Sequence, residues 1–127
     1  GRGEQGVLLV RPYTNAICAY WRFKTPDEAV ISANKIYSMY ENYRSKQDFI
    51  GMDMCRKFLE MGFTRARRYA NHNSGKKYDN EGNIRPQEPD HATSKYAQSA
   101  GIFKKVRDVV AKSEIYVTMR KQWRSSE

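Results

Sequence analysis

Residues 6–23 read Gly6-Val-Leu-Leu-Val-Arg-Pro-Tyr-Thr-Asn-Ala-Ile-Cys-Ala-Tyr-Trp-Arg-Phe23, and the fold class turns on how this stretch is taken. Gly6–Val10 and Ile17–Phe23 are short apolar runs rich in residues that favour strands. Pro12-Tyr-Thr-Asn15 between them carries turn chemistry, since Pro fixes φ and Asn tolerates the left-handed region. The local reading is a β-hairpin. A lone hairpin is marginal in water, so its apolar face must lie on helices elsewhere in the chain. The expected class is therefore α+β, mainly helical, with an N-terminal β-hairpin packed on three or four helices.

Downstream, Thr25-Pro-Asp-Glu28 has the form of a capping box. Thr25 can accept from the amide three residues on, Glu28 can reach back, and Pro26 suits the first helical position. The helix after it sets Ala29, Ala33, Ile36, Tyr37, Tyr40 and Tyr43 on one face. It is expected to end near residues 44–47. Asp48 opens a second helix whose inward stripe is Met52, Cys55 and Leu59, with Phe49 and Phe58 at its edges. Gly62 either ends that helix or sits inside a longer one reaching Asn71. A third helix is expected over about 91–112, with Tyr96, Ala100, Phe103, Val106 and Val110 inward. Ser113 can cap a fourth that carries Ile115, Tyr116, Met119 and Trp123.

A chain of 127 residues, 39% apolar, supports one core. The expected organisation is one domain over 1–127: a hairpin region at 1–24, helices at 25–72, a polar loop at 73–90 and C-terminal helices at 91–125. No apolar run approaches the length of a membrane span, and the start lacks the apolar segment of a secretory signal. Cys18 and Cys55 lie in apolar patterns with no paired-motif spacing. They read as buried, reduced thiols, and the expected location is the cytoplasm.

Charge is uneven. The chain holds 23 Lys and Arg against 14 Asp and Glu, a net +9. Residues 48–78 contain seven Lys or Arg against three Asp or Glu, whereas residues 79–91 contain one against four. Two basic stretches thus flank an acidic loop, a field that attracts polyanions.

Motif by motif, most catalytic readings fail. Gly1-Arg-Gly-Glu-Gln-Gly6 matches a dinucleotide-binding string but lacks a preceding strand and a βαβ unit. Ser74-Gly-Lys-Lys77 resembles the end of a P-loop without its upstream glycine, its strand or the hydroxyl residue after Lys. His72 and His91, the only histidines, have no zinc-site spacing with the cysteines, so no metal and no cofactor are expected. His72 has two competing roles, a general base or a helix-terminal residue bonded to backbone carbonyls. Asp53 is placed for an ordinary i,i+4 pair with Lys57. Asp79, Glu81, Glu88 and Asp90 crowd a loop with no evident organising element.

One cue survives. If the helix continues through Gly62, then Lys57, Thr64, Arg65, Arg68 and His72 fall within a wedge of about 100°. Arg65, Arg67, Arg68, Lys76 and Lys77 are the expected phosphate contacts, and Tyr69, His72 and Tyr78 the expected stacking or hydrogen-bonding groups. The competing reading is a solvated face paired with the acidic loop. The leading function is binding of nucleic acid or another phosphate-bearing partner. The alternatives are an enzyme on a phosphate-bearing small molecule with His72 as acid or base, and an assembly or adaptor protein docking an acidic partner. No membrane partner is expected, and the oligomeric state is not legible.

Four segments together resemble a known family: Gly1–Val10, Trp21-Arg-Phe-Lys-Thr-Pro26, Asp48–Lys57 and Met61-Gly-Phe-Thr-Arg-Ala-Arg-Arg-Tyr-Ala-Asn-His72. They resemble the domain of unknown function 4385 family, across nearly the whole chain. The resemblance implies a bacterial or phage origin and a family member that begins somewhat before Gly1. It implies no activity and no catalytic residues.

Overall fold

The computed structural model describes the backbone of residues 2–126 and the side chains from residue 10 onward. Five α-helices follow one another: α1 (Arg2–Cys18), α2 (Pro26–Ser45), α3 (Phe49–Asn71), α4 (Lys95–Lys112) and α5 (Glu114–Ser126). α2, α3 and α4 each pack on the other two, α1 lies along α3, and α5 closes over α3 and α4.

The expected hairpin is absent. Among the described residues there is no β-strand, and the class is all-α rather than α+β. In the second half of α1 the inward contacts have helical spacing. Tyr13 and Ile17, four residues apart, both reach inward. Ile17 is fully buried, the Tyr13 hydroxyl donates to Asp48 Oδ2 at 2.8 Å, and the Tyr13 ring meets Tyr43 edge-on. Pro12 sits inside this helix, against its local preference, and withholds one backbone donor. Residues 21–23 belong to the linker between α1 and α2 and have no regular secondary structure. Its place is fixed by Trp21 Nε1 donating to the Phe58 carbonyl at 3.1 Å and by the Arg22 amide donating to the buried Ser32 hydroxyl at 3.0 Å.

The helix starts follow the capping signals. Thr25 Oγ1 accepts from the Glu28 amide at 3.2 Å with Pro26 first in α2, and Asp48 Oδ1 accepts from the Gly51 amide at 3.2 Å to open α3. Thr25→Ala should lower stability by about 1 kcal/mol, the usual cost of a lost N-cap. Urea denaturation reads this directly, and an unmoved midpoint would mean that this bond does not hold the start of α2. Ser113 caps α5 by accepting from the Tyr116 amide at 3.2 Å, while its hydroxyl pairs with Tyr40 at 2.7 Å. α4 begins four residues later than its pattern suggested, because Ser94 takes the cap and Asp90–Ser94 form a turn.

The core is Ile17, Ala29, Ala33, Ile36, Tyr40, Phe49, Met52, Cys55, Phe58, Leu59, Phe103, Val110 and Tyr116. Most of it matches the helical stripes read from sequence. Trp123 and Ile115 do not, being 42% and 39% exposed on α5. Both cysteines are free thiols. Cys55 is buried, and burial pushes its thiol up to about 12, but Cys18 is exposed, against expectation, because α1 turns it away from α3. Among the described residues no helix is long and apolar enough to cross a membrane.

Candidate nucleic-acid interface

Gly62 does not end α3. The helix runs unbroken to Asn71, so the wedge drawn from Lys57 to Arg68 exists as a surface. Lys57, Thr64, Arg65 and Arg68 are exposed along it. Among the described residues neither Arg65 nor Arg68 has a salt-bridge partner. The pairing is elsewhere: Arg56 with Asp53 and Glu60, Lys57 with Asp53 at 3.5 Å, and Arg107 with Glu60 and Asp108.

Arg67 has a different task. Its fork donates from both Nη atoms to the His91 carbonyl at 3.2 Å each, tying α3 to the residues before α4. His72 is the C-cap of α3 and is only 7% exposed. Its amide donates to the Arg68 carbonyl, its own carbonyl accepts from Gly75, and its Nδ1 is buried without a protein partner. In this conformation its side chain presents little surface to any ligand. The helix-terminal role anticipated for it matches this placement, though through its backbone rather than its ring.

The segment 72–94 is held at many points, contrary to the expectation that nothing organises it. The Glu88 amide donates to the Asn71 carbonyl, Glu88 Oε1 accepts from the Asn73 amide, and Gln87 donates to the Asn71 side chain. Asp79 Oδ1 accepts from the amides of Glu81 and Asn83, closing a tight turn under a single bridge between Tyr78 and Ile84. Asp79 and Glu88 are thereby engaged in the loop's own backbone. Among the described residues neither forms a salt bridge with an arginine of α3. Lys76 is exposed, Lys77 is half-buried with its ammonium 5.7 Å from the centre of the Tyr78 ring, and Tyr78 is 53% exposed.

At this end of the bundle the aromatic groups gather. Tyr69 stacks on Tyr96 at 5.2 Å between centroids and meets Phe23 at 6.2 Å, and Phe23 in turn packs on Trp21 at 5.2 Å. Gly75, at φ 75°, lies so close to Tyr69 that a Cβ there would stand 2.8 Å from the ring. Only glycine combines that backbone with that approach. The contact sets Lys76 beside the stacked tyrosines. Trp21, Phe23, Tyr69 and Tyr96 border an open cleft of about 320 Å³, with Arg22 and Lys24 as its cations and Glu28 as its one carboxylate.

Sequence reading missed Trp21, Arg22, Phe23, Lys24 and Tyr96 as site residues. The alternation Trp-Arg-Phe-Lys was itself a signal, aromatic rings interleaved with cations, but it was assigned to a strand. A larger groove of about 620 Å³ runs between the end of α2 and α5. Arg44 and Glu114 are its charged lining groups, so it offers a polyanion no convergent positive field. Among the described residues no three His, Cys, Asp or Glu side chains are grouped as a metal ion would need.

The family described as domain of unknown function (DUF4385) matches residues 1–126. The chain belongs to the DUF4385 family. The match takes in every segment on which the resemblance was drawn, including the basic run that ends α3. No curated protein and no solved structure matches the chain, so this DUF4385 member must be read from its own geometry.

Proposed function

We propose that this protein binds nucleic acid or another phosphate-bearing partner through the α3 face that carries Arg65 and Arg68. The observation that carries the reading is a contrast. Arg56 and Arg107 are paired with carboxylates, whereas Arg65 and Arg68, three residues apart and on one face, stand exposed with no carboxylate partner among the described residues. Unpaired guanidinium forks suit phosphate oxygens, which they can meet with two bonds at once. Lys76 adds a third exposed cation from the loop packed on Tyr69. Arg67, bonded to His91, serves as a tether for this site rather than as one of its contacts.

Each phosphate neutralised releases counterions, so affinity should fall with salt at a log–log slope of about −0.9 per duplex phosphate or about −0.7 per single-strand phosphate. The double variant Arg65→Ala with Arg68→Ala should reduce that slope by about one to two units. Its melting temperature should stay close to that of the wild type, because neither side chain pairs with a carboxylate among the described residues. Titrations with a generic duplex and a single strand at two salt concentrations, beside a melt, measure both. A wild type that binds neither strand at low salt would remove the proposal.

A further inference from the structure

We infer that the aromatic cleft beside this face takes an unstacked nucleobase, so that single-stranded nucleic acid is the preferred ligand. The inference rests on the phosphate-binding reading above and adds to it the form of nucleic acid. The first support is where the aromatic surface lies. Phe103, Phe58, Tyr40 and Tyr116 are almost fully enclosed in the core, yet Trp21, Phe23, Tyr69 and Tyr96 are left half-buried around one cleft. Aromatic rings left partly open beside cations fit a base with its phosphate.

The second support is the arrangement of charge. Arg65 is one helical turn before Tyr69 and therefore its neighbour on the surface of α3. Arg22 and Lys24 line the cleft from the linker between α1 and α2. Arg22 Nη1 donates to the Trp21 carbonyl at 2.7 Å, which holds the guanidinium at the rim with its other nitrogens still able to donate. A sugar–phosphate chain crossing from Arg65 to Lys24 would pass over the aromatic walls.

Third, the cleft is built in advance. Trp21 is bonded to Phe58, the Arg22 amide to Ser32, and Tyr69 is wedged between Tyr96 and Gly75. Rings already fixed lose little freedom when a base arrives. A duplex cannot use this cleft, because its base faces are covered by their neighbours; only an unpaired or displaced base presents one.

The test compares three ligands of equal length at one salt concentration: a labelled poly(dT) strand, a duplex, and an abasic sugar–phosphate strand with the same phosphates. The wild type should bind poly(dT) roughly tenfold more tightly than the abasic strand, the scale of one stacked base. The double variant Phe23→Leu with Tyr96→Leu keeps apolar bulk but removes two aromatic faces. It should lose roughly tenfold of the poly(dT) affinity while duplex affinity and salt slope stay put. Equal binding of poly(dT) and the abasic strand by the wild type overturns the base pocket, even if the variant fails to fold. So does a folded variant that binds poly(dT) as the wild type does. In both cases a steep salt slope would leave the phosphate-binding reading standing. Absence of binding to all three at low salt retires both.

Discussion

Phe103→Ala should cost the fold about 3–5 kcal/mol, the range for removing a buried aromatic ring. The residue is fully buried in α4, with its ring against Gly62 of α3. The floor beneath it is Gly62, where a Cβ would lie 2.5 Å from ring atom Cδ1. Truncation therefore opens a space bounded on one side by bare helix backbone, with no neighbouring side chain there to relax into it. Gly62→Ala on its own should also destabilise. The gain in helix propensity, about 1 kcal/mol, is opposed by overpacking of about 1–3 kcal/mol against a ring that cannot withdraw. The two changes should not add. With the ring gone the new methyl fills part of the cavity, and the double variant should be more stable than the sum of the singles by at least about 0.5 kcal/mol. Urea unfolding of the four proteins closes the cycle. Additivity would show that Gly62 and Phe103 do not share this contact.

That contact also explains how far the fold could be read in advance. Gly62 was ambiguous in sequence because a mid-helix glycine weakens a helix locally, and its reason for being there, the Phe103 ring, lies 41 residues away. The starts of α2 and α3 were legible because caps are local chemistry: Thr25 and Asp48 each bond within three residues. Residues 6–23 misled for the same reason in reverse. Their β-prone composition and Pro12-Tyr-Thr-Asn15 are local signals, and the helix that those up to Cys18 form is fixed by distant partners, Asp48 and Tyr43 for Tyr13 and the core for Ile17.

The candidate site divides along the same line. Exposure of Arg65 and Arg68 followed from helical period alone once the helix was continuous. The same period leaves Arg67 outside that wedge, but its partner, a backbone carbonyl 24 residues further on, had no local signal. The cleft was hidden twice over, because Trp21, Arg22 and Phe23 read as the end of a strand and Tyr96 as core. No local rule brings the α1–α2 linker to the far end of α3.

Asp53→Ala should destabilise by about 2–3 kcal/mol, and the part of that loss belonging to its charge should disappear in acid. Asp53 Oδ1 accepts from the Tyr116 hydroxyl at 2.7 Å and from Arg56 Nε at 3.0 Å, joining α5 to α3. Removing the carboxylate leaves a Tyr116 hydroxyl in a residue 1% exposed and takes one of two carboxylate partners from Arg56. An unsatisfied buried donor costs about 1–3 kcal/mol, and the lost charge partner adds to it. With 21% of the Asp53 side chain open to water, the total stays below the 3–5 kcal/mol of a fully buried pair. Burial pushes the Asp53 carboxyl up, but the bonds from Tyr116 and Arg56 outweigh it and hold the group below its ordinary 3.8. A carboxylate depressed on folding stabilises above its unfolded value and loses that contribution as pH falls through the folded one. Asp53→Asn keeps the shape without the charge. Its stability gap to the wild type should be constant near neutral pH, then narrow below about pH 4. Taking the difference between the two proteins cancels every other carboxylate in the chain. A gap that holds from about pH 6 to about pH 3 would mean that Asp53 contributes by shape and hydrogen bonding alone.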